Sequence, residues 1–498
     1  MKKLTIFFLF LSVVAQANTY YVSLEGKDSN DGKSISAPFR TISKAIGLAV
    51  AGDQIYVVGG EYSVTSTIKL EKSGTADAPI RLESYNNERV KIDFTGNSGK
   101  GFTVSGNYWY VKGFDAMKAG NNGILISGAY NTIEFCSFYE NGNSGVQLSN
   151  GAHDNRIINC DSYWNVDTDN YSDADGFACK MAVGTNNYFY GCRAWTNVDD
   201  GWDGYLRGAD DVSTTVENCW TWDNGYMKDR TDKGYHANGQ GFKMGGSDDK
   251  TLRHNFTLMN CLAFDNKANG FDQNNNKGTM VVQNCTGFRN NKVIDYSADG
   301  DGILEGNNFN VYLALASGKS CTVQNCVSMT GPVKMMSWVV QNTNSWQSPF
   351  TVTEEDFLSL DTAGVSGLRQ GDGSLPELNF CRLRSTSDLV DAGTNIGLDY
   401  RGDAPDLGAF ECDSVKTAVT SFPLWQQTIA FFAGNTLIIR RNGSSDCILT
   451  LIDLNGCVAF QKRITGESVD LNCSGLKEGF YLVELSGKTE KTVIKVVR

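Results

Sequence analysis

Asp199, Asp200 and Asp203 place three carboxylates within five residues, with Gly201 and Trp202 between them. Carboxylates at that density bind a cation or protonate in part, because like charges at short range disfavour one another's ionisation. Oxygen donors without histidine or cysteine suit calcium, which accepts six to eight oxygens. The same stretch sits inside a glycine-plus-apolar pattern: Gly123-Ile124, Gly145-Val146, Gly176-Phe177, Gly201-Trp202, Gly241-Phe242, Gly270-Phe271 and Gly302-Ile303. On a strand whose apolar residue points inward, the next residue points to solvent. That outward column reads Leu125, Gln147, Ala178, Asp203, Lys243, Asp272 and Leu304. Coils stack about 4.8 Å apart, so Asp203 and Lys243 are expected as neighbours although they stand forty positions apart. The position ahead of each glycine gives Ser144, Asp175, Asp200, Gln240, Asn269 and Asp301, which stacks Asp175 on Asp200. Asp175, Asp199, Asp200 and Asp203 are therefore the expected ligands of a calcium ion, with Lys243 on the following coil.

Calcium beside a lysine suits removal of a proton next to a carboxylate. A uronic-acid polysaccharide offers such a proton on carbon 5, and Lys243 as base would expel the oxygen on carbon 4 by β-elimination. The lysine must be neutral to act, so burial and the cation must lower its ordinary pKa of about 10.4 against the pull of Asp203. Lys180 and Arg207 fall on the same outward face, and with Asp272 they are candidate substrate contacts, Arg207 through a bidentate fork. Three histidines, His153, His236 and His254, leave little material for a histidine-centred mechanism. The carboxylates alone also admit a calcium that only stiffens the stack, a solvated acidic patch, a glycoside hydrolase using two aspartates as acid and base, or a non-catalytic glycan-binding β-helix.

The elements that must position these residues are repeats. Around Cys136, Cys160, Cys192, Cys219, Cys261, Cys285 and Cys326, apolar residues stand three positions before, from Ile133 to Val323. Three positions after the first six stand Tyr139, Tyr163, Trp195, Trp222, Phe264 and Phe288, and five after stand Asn141, Asn165, Asn197, Asn224, Asn266 and Asn290. Spacings of 24, 32, 27, 42, 24 and 41 describe a unit of about 24 with insertions, as in a parallel β-helix whose coils bury their apolar faces only by stacking. Cysteine, aromatic and asparagine columns are all expected inward, the cysteines as buried thiols, the asparagines in left-handed turns. The insertions Val166 to Asp175 and Gly225 to Gln240 are expected to wall a cleft. Thr41 to Val50 reads as an amphipathic helix capping the apolar end of the stack.

The chain has 498 residues, 53 glycines, 7 prolines and a net charge of -12. That balance argues against nucleic acid as partner. Lys2, Lys3, the apolar run Leu4 to Val14 and Ala15-Gln16-Ala17 read as a signal peptide over residues 1–17; no later run is long enough to span a bilayer. A bacterial protein that is secreted, periplasmic or on the cell surface is expected, acting as a monomer on an acidic plant cell-wall polysaccharide. Residues 18–415 form the expected β-helix lyase domain. Short alternating runs within 416–498 read as a small β-sandwich, with a turn at Asp453-Leu454-Asn455-Gly456.

Asp175-Gly176-Phe177-Ala178-Cys179-Lys180, Asp199-Asp200-Gly201-Trp202-Asp203 and Gly241-Phe242-Lys243-Met244-Gly245-Gly246 together resemble the motifs of polysaccharide lyase family nine, the pectate lyase L type. The similarity runs from Thr19 to Cys412. It implies an all-β, right-handed parallel β-helix, calcium held by Asp175, Asp199, Asp200 and Asp203, and Lys243 as the base, acting on homogalacturonan or a rhamnogalacturonan backbone. The C-terminal domain resembles sorting domains of type IX secretion.

Overall fold

The computed structural model describes residues 17–290, 292–296, 302–412, 429–433, 436–440, 446–453, 458–466, 468–477, 480–486 and 491–497. The expected signal peptide, apart from Ala17, lies outside the described residues. The chain divides into two compact units, Met1–Val415 and Lys416–Arg498.

In the first unit the described residues form three parallel sheets of twelve, ten and ten strands. A complete coil gives one short strand to each sheet. Ile124–Ile126, Thr132–Glu134 and Ser137–Tyr139 make one coil; Val146–Leu148, Arg156–Ile158 and Asp161–Tyr163 make the next and pair with them residue for residue. Three-residue strands cannot hold alone, so the stack itself is the stabilising unit. Its interior is filled by Ile124, Val146, Ile133, Ile157 and their equivalents, all buried. Helix Ile42–Leu48, whose Thr41 cap accepts from Lys44 N, packs Ile42, Ala45 and Ile46 against the first coils.

The seven repeat cysteines are buried, and among the described residues none is in a disulfide. Several thiols donate to the carbonyl two residues back, as Cys160 does to Ile158 at 3.4 Å. Two other columns differ from expectation. The asparagines are inward but not left-handed: the preceding residue takes the positive φ, as at Glu140, Trp164, Thr196 and Asp223. Each asparagine instead donates its amide to the next one's carbonyl oxygen, from Asn141 through Asn165, Asn197, Asn224, Asn266 and Asn290 to Asn308, at 2.9–3.0 Å. The aromatics point outward. Tyr139, Tyr163, Trp195, Trp222 and Phe264 stack on the outer face of the third sheet. Residues 346–411 lie over its far end, where Phe357, Phe380, Leu383 and Leu389 form a second core with Trp195, Trp222 and Phe264. A strand has two faces, and this one buries both.

The last expected repeat is also corrected. Gly302–Glu305 pairs antiparallel with Val293–Tyr296 as an excursion from the stack, and the strand that continues it is Phe309–Val311. Asn310, not Leu304, therefore follows Asp272 in the outward column.

In the second unit, Ile429–Ala433, Thr436–Arg440 and Ser468–Asn472 form one antiparallel sheet. Cys447–Asp453, Val458–Ile464, Phe480–Ser486 and Lys491–Val497 form another. Leu437, Ile439, Leu449, Leu451, Val483 and Leu485 share one core. The expected turn falls largely on residues 454–456, outside the described residues.

Candidate active site

Strands Phe177–Cys179, Trp202–Asp203, Phe242–Lys243, Phe271–Asp272 and Phe309–Val311 stack in one sheet. Their register aligns Ala178, Asp203, Lys243, Asp272 and Asn310. The alignment is fixed from inside: Phe177, Trp202, Phe242, Phe271 and Phe309 are buried with successive ring centroids 4.6–5.2 Å apart. Trp202 is thus a core residue that holds its carboxylate neighbours in place. Gly201 is required by close approach, since a Cβ there would meet the Gly241 carbonyl oxygen at 2.6 Å.

Asp175, Asp200 and Asp203 each present an oxygen within 4.8 Å of the others, and all three are buried. Two ammonium groups stand among them. Lys180 Nζ donates to Asp175 Oδ2 at 2.6 Å and lies 3.2 Å from Asp203 Oδ2. Lys243 Nζ donates to Asp200 Oδ2 at 2.9 Å and lies 3.4 Å from Asp203 Oδ1. Asp199 is buried beside this trio rather than in it, accepting from Asn238 N at 3.2 Å. Backbone and hydroxyl donors fix the rest: Gln240 N to Asp200 at 2.7 Å, Tyr205 N to Asp203 at 3.0 Å, Ser144 Oγ to Asp175 at 2.9 Å.

Burial raises the Asp175 carboxyl to about 7 despite Lys180, and burial with Asp200 and Asp175 raises Asp199 well above the ordinary carboxylate range. Asp200 is also raised by burial. Asp203 is held low, because Lys243 and Lys180 outweigh its own burial. Burial alone would lower Lys243, but Asp200, Asp203, Asp199 and Asp175 raise it well above the usual lysine value. The lowered value that a base needs is thus not a property of the protein groups alone. With all four carboxyls ionised, the two ammoniums would leave two negative charges, which one divalent cation would neutralise. The all-oxygen donor set fits calcium, and the two lysines already stand where cationic charge is called for.

The model of the family described as "Pel9A-like, right handed beta helix region" matches residues 20–308. The chain belongs to this family. Pectate lyase L of Dickeya dadantii is 36% identical over 80% of this chain and 92% of its own length. Pectate lyase L of Paenibacillus polymyxa is 33% identical over 78% and 86%. Among solved structures, pectate lyase Pel9A superposes with a TM-score of 0.72 at 36% identity, covering 80% of this chain and 98% of that one. A rhamnogalacturonan lyase follows at 0.60 and 27%, covering 74% and 97%. Residues 433–498 match a secretion system C-terminal sorting domain, which implies secretion and the cell surface.

In this Pel9A-like chain the remaining candidates divide. Lys180 is a buried member of the carboxylate cluster. Arg207 is exposed, and its fork is taken by Asp248 at 2.7 and 2.8 Å. Asp272 lies one coil beyond Lys243, where its Oδ1 accepts from Asn310 at 2.6 Å and Asn269 at 3.0 Å, and burial raises it to about 6. Other participants went unread. Lys267, its side chain wholly buried, donates to Asp232, Gly234 O and Ala237 O at 2.6–2.8 Å. It thereby anchors the insertion that delivers Asn238 N and Gln240 N to the carboxylates. Buried neutral His254, lowered by burial to about 4, spans Thr214 Oγ1 and the Gly204 carbonyl, each at 2.8 Å, under the Asp203 turn. The two insertions do meet: Ala174, Val198 and Ala237 pack with Val166, Tyr171 and Met227. A separate cavity of about 710 Å³ on the third sheet is lined by Asp161, Arg193 and Arg369. Its charges pair with one another, away from the carboxylates.

Proposed function

We propose that the chain cleaves a galacturonate-containing pectic backbone by calcium-dependent β-elimination, with Lys243 as the base. It is a pectin-degrading polysaccharide lyase, as its relatives named pectate lyase and the rhamnogalacturonan lyase with its fold support. The observation that carries the mechanism is the register of Asp203 with Lys243 at the edge of three buried carboxylates. Asp175, Asp200 and Asp203, with Asp199 beside them, would hold the cation. Calcium, when bound there, would supply positive charge that acidifies the carbon 5 proton of a uronate and offsets the aspartates' hold on the Lys243 proton. Neutral Lys243 Nζ takes the carbon 5 proton, the carbon 4–carbon 5 double bond forms, the carbon 4–oxygen bond breaks, the leaving oxygen takes a proton from water, and the hydroxide so formed takes the proton from Lys243, which restores the base. Lys180 balances Asp175 and Asp203, and Lys243 pairs with Asp200 and Asp203.

Paired aspartates acting as a hydrolase need about 5 Å or more between carboxyls and an acid that reaches the glycosidic oxygen. Asp175 and Asp200 are wholly buried and bonded to lysines, which suits cation binding instead. The test is absorbance of the unsaturated uronate on polygalacturonate and rhamnogalacturonan, with calcium and with chelator. Calcium-dependent absorbance is expected; its absence on both polymers from folded protein sinks the proposal.

A further inference from the structure

The cavity of about 710 Å³ on the third sheet takes no part in the proposed reaction, yet it has the size of an ordinary ligand pocket. Its roof is the strap 366–373, and its back wall is a closed ion cluster. Arg193 forks onto Asp161 at 2.7 and 2.8 Å and donates to the Val365 and Gly367 carbonyls at 2.9 Å. Arg369 joins the same carboxylate at 2.6 Å and donates to Gly191 O at 2.8 Å. These groups are committed to one another, so they hold the strap on the sheet and offer nothing to a ligand. Gly373 is seated directly on Phe135, where a Cβ would stand 1.3 Å from the ring.

The mouth differs. Arg89 and Lys112 both line it and stand on successive coils, since Glu83 aligns with Lys112 and Val90 with Phe114. Arg89 gives only its Nε to Asp115; the side chain is 58% exposed, and its two terminal nitrogens take no partner among the described residues. Lys112 Nζ is 3.8 Å from the nearest Glu134 oxygen, beyond hydrogen-bond reach, and 4.8 Å from the centre of the Phe135 ring. The carboxylates of the cavity are by contrast supplied. Asp161 has its two arginines, Asp115 has Arg89, Glu88 accepts from Gly59 N at 2.7 Å, and Asp372 accepts from Ser374 N and Oγ at 3.0 and 2.7 Å. Cations and carboxylates thus balance in number but not in commitment. Free donors on two neighbouring cations call for a further carboxylate, which an arginine fork takes through two bonds. The Asn87 amide and the Tyr163 hydroxyl line the same space without hydrogen-bond partners among the described residues. They suit the hydroxyls that flank such a carboxylate on a sugar.

We propose that this cavity is a second glycan-binding site, on a different sheet from the carboxylate cluster, and that it holds a galacturonate residue through Arg89 and Lys112. The anionic, hydroxyl-bearing class follows from the cavity itself; only the choice of galacturonate rests on the lyase reading above. Binding there needs no turnover. It would tether a pectic chain to the protein beside the groove that cuts it, raising the local concentration of further cleavable bonds.

The experiment labels the whole wild-type chain with an arginine-selective dicarbonyl and a lysine-selective ester, in chelator, and maps the modified residues by mass spectrometry. Saturating trigalacturonate is expected to slow labelling of Arg89 and Lys112 by about tenfold or more, while the neutral trisaccharide maltotriose leaves both unchanged. The trigalacturonate concentration that half-protects Lys112 should rise about tenfold in Arg89→Lys, which keeps a cation beside Asp115 but removes the fork. Lys112→Ala should raise it similarly at Arg89. Polygalacturonate is run beside the trisaccharide: protection by the trisaccharide assigns the site to released oligomers as well as polymer, protection by the polymer alone assigns it to intact chains, and either sustains the site. No protection by either acidic glycan, equal protection by maltotriose, or half-protection unmoved in both variants overturns the inference. Unsaturated product is read separately, so failure of the lyase reading appears as missing absorbance and leaves the labelling result standing.

Discussion

Lys243 is held protonated by the four aspartates around it, so its role as base depends on a competing cation. Lys243→Ala should lower turnover by about 10²–10⁴-fold, the usual worth of a positioned base, while the folded chain still binds calcium by titration calorimetry. Residual activity within tenfold of wild type removes Lys243 from the role. Asp203→Asn acts differently, because Asp203 touches both lysines. It should weaken calcium binding, raising the calcium concentration for half-maximal activity by about tenfold or more, a coupling of roughly 1.4 kcal/mol. An unchanged calcium requirement removes Asp203 from the ligand set. The residues of the cluster were legible because a strand's two-residue period and a coil repeat turn sequence offsets into neighbours. Lys180 was legible only as an outward residue: that its ammonium turns into the carboxylates depends on burial, which a single sequence does not display.

At the scale of elements, the asparagine ladder and the 225–240 insertion carry the argument. Asn224 donates to Asn266 Oδ1 and Thr221 Oγ1 and accepts from Asn197, all buried. Asn224→Ala leaves those groups unmatched and should cost about 3 kcal/mol, read by urea unfolding; a loss under 1 kcal/mol contradicts the ladder as a stabiliser. Lys267→Met should release Asp232, Gly234 and Ala237, loosen the backbone that reaches Asp199 and Asp200, and raise the calcium dissociation constant about tenfold. If calcium affinity holds while Tm falls, Lys267 serves the loop's stability alone. The columns were visible in the sequence, but not which face they occupy. Spacing assigns Trp195 and Trp222 to a strand; only the cover of residues 346–411, which has no period to count, explains why large aromatics are buried outside the coil. The Gly302 repeat misled for a related reason, since a hairpin inserted between coils can copy the local pattern.

For the molecule as a whole, the charge arrangement links stability, pH and metal. Without calcium, Asp175 at about 7 and Asp272 at about 6 lie above the ordinary 3.8, and Asp199 and Asp200 are raised as well. A carboxyl raised on folding means the folded chain binds protons more tightly than the unfolded one. Its contribution is present below 3.8 and is lost as pH rises through 6 and then 7. Asp203, held low, works in the opposite sense, but only below the ordinary carboxylate pKa. Lys243, held high, gives stability across this window, lost only above the ordinary lysine value. The chelated protein should therefore lose several degrees of Tm between about pH 5 and about pH 8. Calcium binds the ionised carboxylates of the folded chain, so its stabilising effect should grow over the same interval. Thermal scans of the whole chain in chelator and in calcium decide this, with Asp175→Asn expected to flatten the chelator profile. A chelator Tm that holds or rises from about pH 5 to about pH 8 contradicts a cluster strained by its own charge, because carboxylates without that strain would gain stability as they ionise.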